Sequence, residues 1–207
     1  MSEMFSNKSC EEFSYVLSSK APVPGGGGAA ALCGALSAAL CSMVANITSG
    51  RKKYAQYEDD IQRVIADCDV TRKKLLELVN KDAEGFEPLQ KAYSIPKDNP
   101  ERETVMEKAS LDACVAPIEM MREIAKSIDM LEEMRIKGSV TVKSDVGCGA
   151  LIARAAIESA SMNIYINTKP LKCEKARMLE KEADDLLEEY IPKAEKTAKL
   201  VMEDLRK

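Results

Sequence analysis

The run AAALCGALSAALCSMVANITSG, residues 29–50, holds no charged side chain. It is about long enough to cross a bilayer, so its reading decides between a membrane span and a core helix. Leu32, Leu36, Leu40, Met43, Val44 and Ile47 recur at helical spacing. Ala, Gly, Ser, Thr and Asn fill much of the remainder, which makes the run only weakly lipophilic. Small side chains also let neighbouring helices approach closely. The expectation is a central Ala-rich helix, buried on most sides by other helices rather than by lipid.

Directly upstream stands APVPGGGGAAA, residues 21–31. Gly25, Gly27 and Ala30 formally fit G-x-G-x-x-A, but a dinucleotide site needs a preceding strand and an acid about twenty residues on. Here the lead-in is Pro-Val-Pro, and no acid appears before Glu58. No GK[ST] follows, so it is not a nucleotide P-loop either. Two readings remain open: a glycine turn that allows a close helix crossing, or backbone N–H groups that cradle an anionic or polar ligand. Downstream, Gly50 ends the run at a C′-type position, with Arg51, Lys52 and Lys53 beyond it.

The rest of the chain reads as further helices. A short one covers about Cys10–Ser18, and a long one runs from near Glu58 to Tyr93 until SIPKDNP stops it. A third starts near Pro100, which suits a first helical turn, and reaches about Arg135 with a kink at Pro117. In RIKGSVTVKSDVGCG the Val-Thr-Val core suggests a short extended piece, after which Ser144 or Asp145 caps a fourth helix. That helix ends near Thr168–Pro170, and a last one, carrying Pro192, spans about Lys172–Arg206. The expected fold is all-α, an up-and-down bundle of five to six helices in one domain, residues 1–207.

Composition narrows the function. The chain has 207 residues and a net charge of −4, which argues against a general nucleic-acid binder. Its seven cysteines form no CxxC pair and there is no histidine, so a disulfide framework and a common zinc knuckle are not expected. Without a leader-like segment, the chain reads as cytoplasmic with free thiols. The missing histidine also excludes Ser–His and Cys–His nucleophiles. Proton transfer must fall to Asp, Glu, Lys, Tyr or Cys.

The long helix offers one carboxylate for that work. Its apolar stripe runs Ile61, Ile65, Cys68, Leu75, Val79, Phe86, Leu89 and Tyr93, and the same register places Asp82 on the inward face. A buried aspartate must be paired, hydrogen-bonded or neutralised. Either it serves chemistry there, or curvature carries it to the rim to meet a lysine. Asn163 and Asn167, one turn apart, have two uses: hydrogen-bonding a heterocycle or each other. Arg51–Lys53 is the densest positive charge near the glycines.

The run PVPGGGGAAALCGALSAALCSMVANITSGRKKY resembles the opening of the cyclodeaminase domain of formiminotransferase-cyclodeaminase and the stand-alone methenyltetrahydrofolate cyclohydrolases. KDAEGF at 81–86, IPK at 95–97, SDVG at 144–147 and NIYIN at 163–167 continue the likeness in the same order. The resemblance implies an all-helical, dimeric or larger enzyme acting on a tetrahydrofolate one-carbon unit, with no metal and no cofactor beyond the folate substrate. It implies a catalytic role for Asp82, which matches the aspartate of the family's DAE motif. Gly25, Gly26, Gly27, Lys97, Ser144, Asp145 and Asn163 are then expected to hold the pterin and glutamate ends. Cyclodeaminase is the first reaction expected and cyclohydrolase the alternative, with a non-catalytic helical oligomer that binds folate or scaffolds a partner as a further one. Two positions depart from the family pattern: Gly28, where a serine is common, and Ser139, where an asparagine is common.

Overall fold

The computed structural model describes residues 4–207. Seven α-helices carry the fold among them: α1 Cys10–Leu17, α2 Gly26–Thr48, α3 Glu58–Tyr93, α4 Arg102–Asp112, α5 Val115–Lys137, α6 Lys143–Thr168 and α7 Glu174–Leu205. Cross-helix pairs fix the directions. Arg63 reaches Glu133 at 2.6 Å and Cys68 Sγ lies 3.5 Å from Met130 Sδ, so α3 and α5 run antiparallel. Arg122 meets Glu182 and Lys193 meets Asp129, each at 2.6 Å, so α5 and α7 run parallel. The result is an up-and-down bundle.

α2 is long and apolar enough to cross a membrane, with a mean hydropathy of 1.8 over its best window. It packs instead inside the bundle, with Ala31, Ala38, Cys41, Val44 and Ala45 fully buried. Gly34 shows why small residues matter: a β-carbon there would stand 2.7 Å from Ile124 Cγ1. Gly149 on α6 would likewise meet Leu131 Cδ2 at 2.8 Å. Each close approach lets the large α5 side chains Ile124, Ile128 and Leu131 be buried completely, at roughly 1.5–3 kcal/mol apiece.

Several expectations need correcting. The expected third helix is two helices, because the chain breaks at Ala113–Cys114. Pro117 therefore falls in the first turn of α5, where its missing N–H costs no bond, and kinks nothing. Pro100 lies before α4 rather than inside it. Val140–Val142 forms a 3-10 turn, not an extended piece. Neither Ser144 nor Asp145 caps α6: that helix starts at Lys143, with both residues in its first turn and no side-chain cap. Tyr93 is 56% exposed, and Ala92 takes the buried position beside it. The three glycines 26–28 are themselves the first turn of α2, with only Gly25 outside as N-cap.

Candidate functional site

An α-helix leaves its first backbone N–H groups without intrahelical partners. At α2 those groups belong to glycines, so nothing shields them. Asp82 of α3 occupies the resulting gap. A β-carbon on Gly27 would lie 2.3 Å from Asp82 Oδ1 and 2.6 Å from Oδ2. Only glycine admits the carboxylate there, and this closeness was not readable from spacing. Val79, one turn earlier on α3, packs beside Gly28, whose other neighbour is Pro24.

Two opposed influences set the acidity of Asp82. Burial pushes its pKa from 3.8 up to about 6, while the Gly28 N–H facing the carboxylate draws it back. The shift comes from removing water, not from a neighbouring anion. A carboxyl group poised near 6 accepts and returns a proton at neutral pH. The inward register therefore gives the right answer for Asp82, and the lysine-paired rim does not describe it: no lysine partner is found for it among the described residues.

Two other elements close around this turn. Gly85, one turn past Asp82, faces the α4–α5 break: a β-carbon there would be 3.6 Å from the Asp112 carbonyl oxygen, an ordinary contact. The break carries Cys114, a buried thiol pushed up to about 11 by burial, with Asn167 pulling the other way. Its Sγ lies 3.9 Å from the Ile164 carbonyl oxygen. On the far side of the α2 turn stands Asn163. Its Nδ2 donates to the Ser159 carbonyl at 2.9 Å, and Oδ1 would lie 3.8 Å from a β-carbon on Gly26. Asn163 and Asn167 thus bond separately rather than to each other. A shallow cavity of about 480 Å³ opens here between α2 and α6, lined by Gly26, Ala29, Cys33, Ser159, Met162 and Asn163.

The structure therefore brings together Asp82, Gly26, Gly27 and Asn163, with Gly25 as the N-cap beside them and Gly28 added. Lys97 is exposed on the loop after α3 and lines a different cleft with Arg102, Pro170 and Lys172. Ser144 and Asp145 stand at the opposite end of α6 from Asn163, about 28 Å along the helix. Arg51, Lys52 and Lys53 are near the glycines only in sequence, because the length of α2 separates them by about 35 Å. They share the far end with Ser139, which is almost fully buried. Its N–H donates to Thr48 Oγ1 at 2.8 Å, and its Oγ accepts from Arg51 Nη1 at 3.0 Å. Among the described residues no group of three or more His, Cys, Asp or Glu is arranged to hold a metal.

Comparison with known proteins agrees with this fold. Residues 9–203 match the family described as Formiminotransferase-cyclodeaminase. The chain is 39% identical over 172 residues to a methenyltetrahydrofolate cyclohydrolase of Methylorubrum extorquens, covering 81% of this chain and 83% of that protein. It is 30% identical over 167 residues to the formimidoyltransferase-cyclodeaminase of Sus scrofa, covering 79% of this chain but 31% of that longer protein. A crystal structure of formiminotetrahydrofolate cyclodeaminase from Thermotoga maritima superposes with a TM-score of 0.83 at 26% identity, covering 95% of this chain and 98% of that one.

Proposed function

We propose that this chain, which belongs to the formiminotransferase-cyclodeaminase family, is an enzyme of tetrahydrofolate one-carbon chemistry with Asp82 as its proton shuttle. One observation carries this reading: a carboxyl group with a pKa near 6, seated on the first turn of α2. Gly25–Gly27 and Asn163 offer backbone N–H groups and an amide oxygen to the heterocycle beside it. The chain's thiols, seven and all free, fit a cytoplasmic enzyme, and it works with no cofactor beyond the folate itself.

Two reactions fit the same geometry. In the cyclodeaminase reaction, N10 of 5-formimidoyltetrahydrofolate attacks the formimidoyl carbon. The formimidoyl nitrogen enters protonated; ionised Asp82 takes the N10 proton and returns it to that nitrogen, so that ammonia departs and the 5,10-methenyltetrahydrofolate cation remains. In the cyclohydrolase reaction, water adds to the methenyl carbon and gives its proton to Asp82. Asp82 then hands that proton to N5 as the carbon–N5 bond breaks, the remaining hydroxyl proton leaves to solvent as the carbonyl forms, and 10-formyltetrahydrofolate is released. Both pass through a tetrahedral carbon at one place. The Thermotoga structure supports the first reaction, and the Methylorubrum relative, of nearly equal length, supports the second.

The chain works as a homodimer in this reading. α2 and α6 share an outer surface on which Leu36, Met43, Leu151, Met162 and Ile166 are exposed, and a single soluble copy rarely leaves such a face bare. Absorbance of the methenyl group distinguishes the reactions. It rises from formimidoyl-folate with a cyclodeaminase and decays with a cyclohydrolase. A purified chain that changes it with neither folate contradicts the proposal.

A further inference from the structure

Three sulfur atoms stand in a row in the core, one from each of three helices. The Cys41 thiol of α2 is hydrogen-bonded to Cys68 of α3, and Cys68 Sγ donates to Met130 Sδ of α5 at 3.5 Å. Both cysteines are fully buried, and Met130 is 6% exposed. The chemistry at Asp82 uses none of them: residues 68 and 82 are about 21 Å apart along α3. The row is not sealed off. Met130 also lines a surface cleft of about 400 Å³ whose mouth carries Arg63, Lys126, Asp67 and Asp129. Those two basic and two acidic side chains balance, and Arg63 and Lys126 are further engaged by Glu133 at 2.6 Å and Glu123 at 2.8 Å. The mouth therefore does not repel a cation.

We infer that Cys41, Cys68 and Met130 form a three-coordinate site for a soft monovalent metal ion, copper(I) in kind, reached through the cleft above Met130. Softness selects the ion. Two thiols and a thioether suit copper(I), whereas structural zinc takes four ligands and hard cations take oxygen. Charge selects it too. The ion brings one positive charge and one thiol releases its proton to solvent. The other thiol and the thioether donate lone pairs, so the buried complex is neutral and no electron is transferred. Metal–sulfur bonds of about 2.3 Å set trigonal sulfurs about 4 Å apart, so the Cys68–Met130 contact opens by about half an ångström. The flexible methionine side chain accommodates that. Glu133 acts on Cys41 electrostatically, but Arg63 and Lys137 hold its carboxylate, which leaves the sulfurs as donors. An ion bound there ties α2, α3 and α5 together, whichever folate reaction the chain performs.

Copper(I) binding to the full chain tests the site. Cys10, Cys33, Cys148 and Cys173 are not fully buried, and serine at all four removes the competing thiols. Titrated without oxygen against a chromophoric copper(I) chelator, this parent chain should keep one copper per molecule. Its copper X-ray absorption should show three sulfurs at about 2.3 Å. Thermal unfolding should rise by several degrees, because the ion binds the native state. Met130→Leu conserves volume and should weaken binding at least tenfold, leaving two sulfurs. Cys68→Ala and Cys41→Ala should each lose the copper while keeping helical circular dichroism, and either one suffices if the other does not fold. Cys114→Ala, which removes the remaining buried thiol, should bind as the parent does. No retained copper, equal affinity in Met130→Leu, loss of copper in Cys114→Ala, or a lowered unfolding temperature each overturns the inference.

Discussion

The carboxylate of Asp82 occupies the space that a side chain on Gly27 would need, with Oδ1 2.3 Å from the position of a β-carbon there. The proposed proton carrier is thus placed by the absence of a methyl group on another helix. Sequence distance between the two residues is large, but α2 and α3 are antiparallel neighbours, so the start of one meets the second half of the other.

Gly27→Ala should separate folding from catalysis. Alanine favours a helix over glycine by up to about 1 kcal/mol, which offsets part of the clash, and the short Asp82 side chain is what must turn aside. The variant is expected to keep its helical circular dichroism and its thermal unfolding within a few degrees. Its turnover should drop by about 100-fold or more, because the carboxylate leaves its working position.

Asp82 should also leave a mark on stability. Its folded pKa is raised, to about 6, so the fold favours the protonated form. That contribution is fully present below the unfolded value of 3.8 and is lost as pH rises through 6. Asp82→Asn has no such titration. Urea unfolding at a series of pH values should show the variant gaining on the wild type by about 2 kcal/mol between pH 4 and 7, after allowance for solvent screening. A constant difference across that range speaks against a buried, ionising Asp82.

The pH dependence of catalysis follows from the same group with the opposite consequence. A base must be ionised to take the first proton, so kcat/KM should rise with pH and level off above about 6. Steady-state rates across pH 5–8 check this. A plateau extending down to pH 5 contradicts the assignment.

Ser139 explains one departure from the family pattern. It is buried, its Oγ accepts from Arg51 at 3.0 Å, and it also pairs with Thr141 at 2.9 Å. Ser139→Ala should lower stability by about 1 kcal/mol and loosen the segment Arg51–Tyr57, read as faster amide exchange there. Gly28, the other departure, is tightly enclosed, since a β-carbon would come 3.2 Å from Pro24 Cβ.

The helices and their order were legible because α2 and α3 are long and strongly periodic, and the inward position of Asp82 followed from that period. The break between α4 and α5 was not, because Ala113 and Cys114 are unremarkable helix residues. The extended reading of Val140–Val142 failed because β-branched residues favour strands only where a strand partner exists, and here the segment is tied instead to Thr48, Arg51 and Tyr54. Periodicity placed Asp82 on the inward face, as the structure has it, but could not show that the carboxylate sits against Gly27 and faces the Gly28 N–H.

The most direct test compares wild type with Asp82→Asn by methenyl absorbance, on 5-formimidoyltetrahydrofolate and on 5,10-methenyltetrahydrofolate. The account predicts that the wild type acts on at least one of them, and that the variant folds, binds it, and turns it over at least about 1,000-fold more slowly. A folded Asp82→Asn chain with near-wild-type turnover would contradict the central claim.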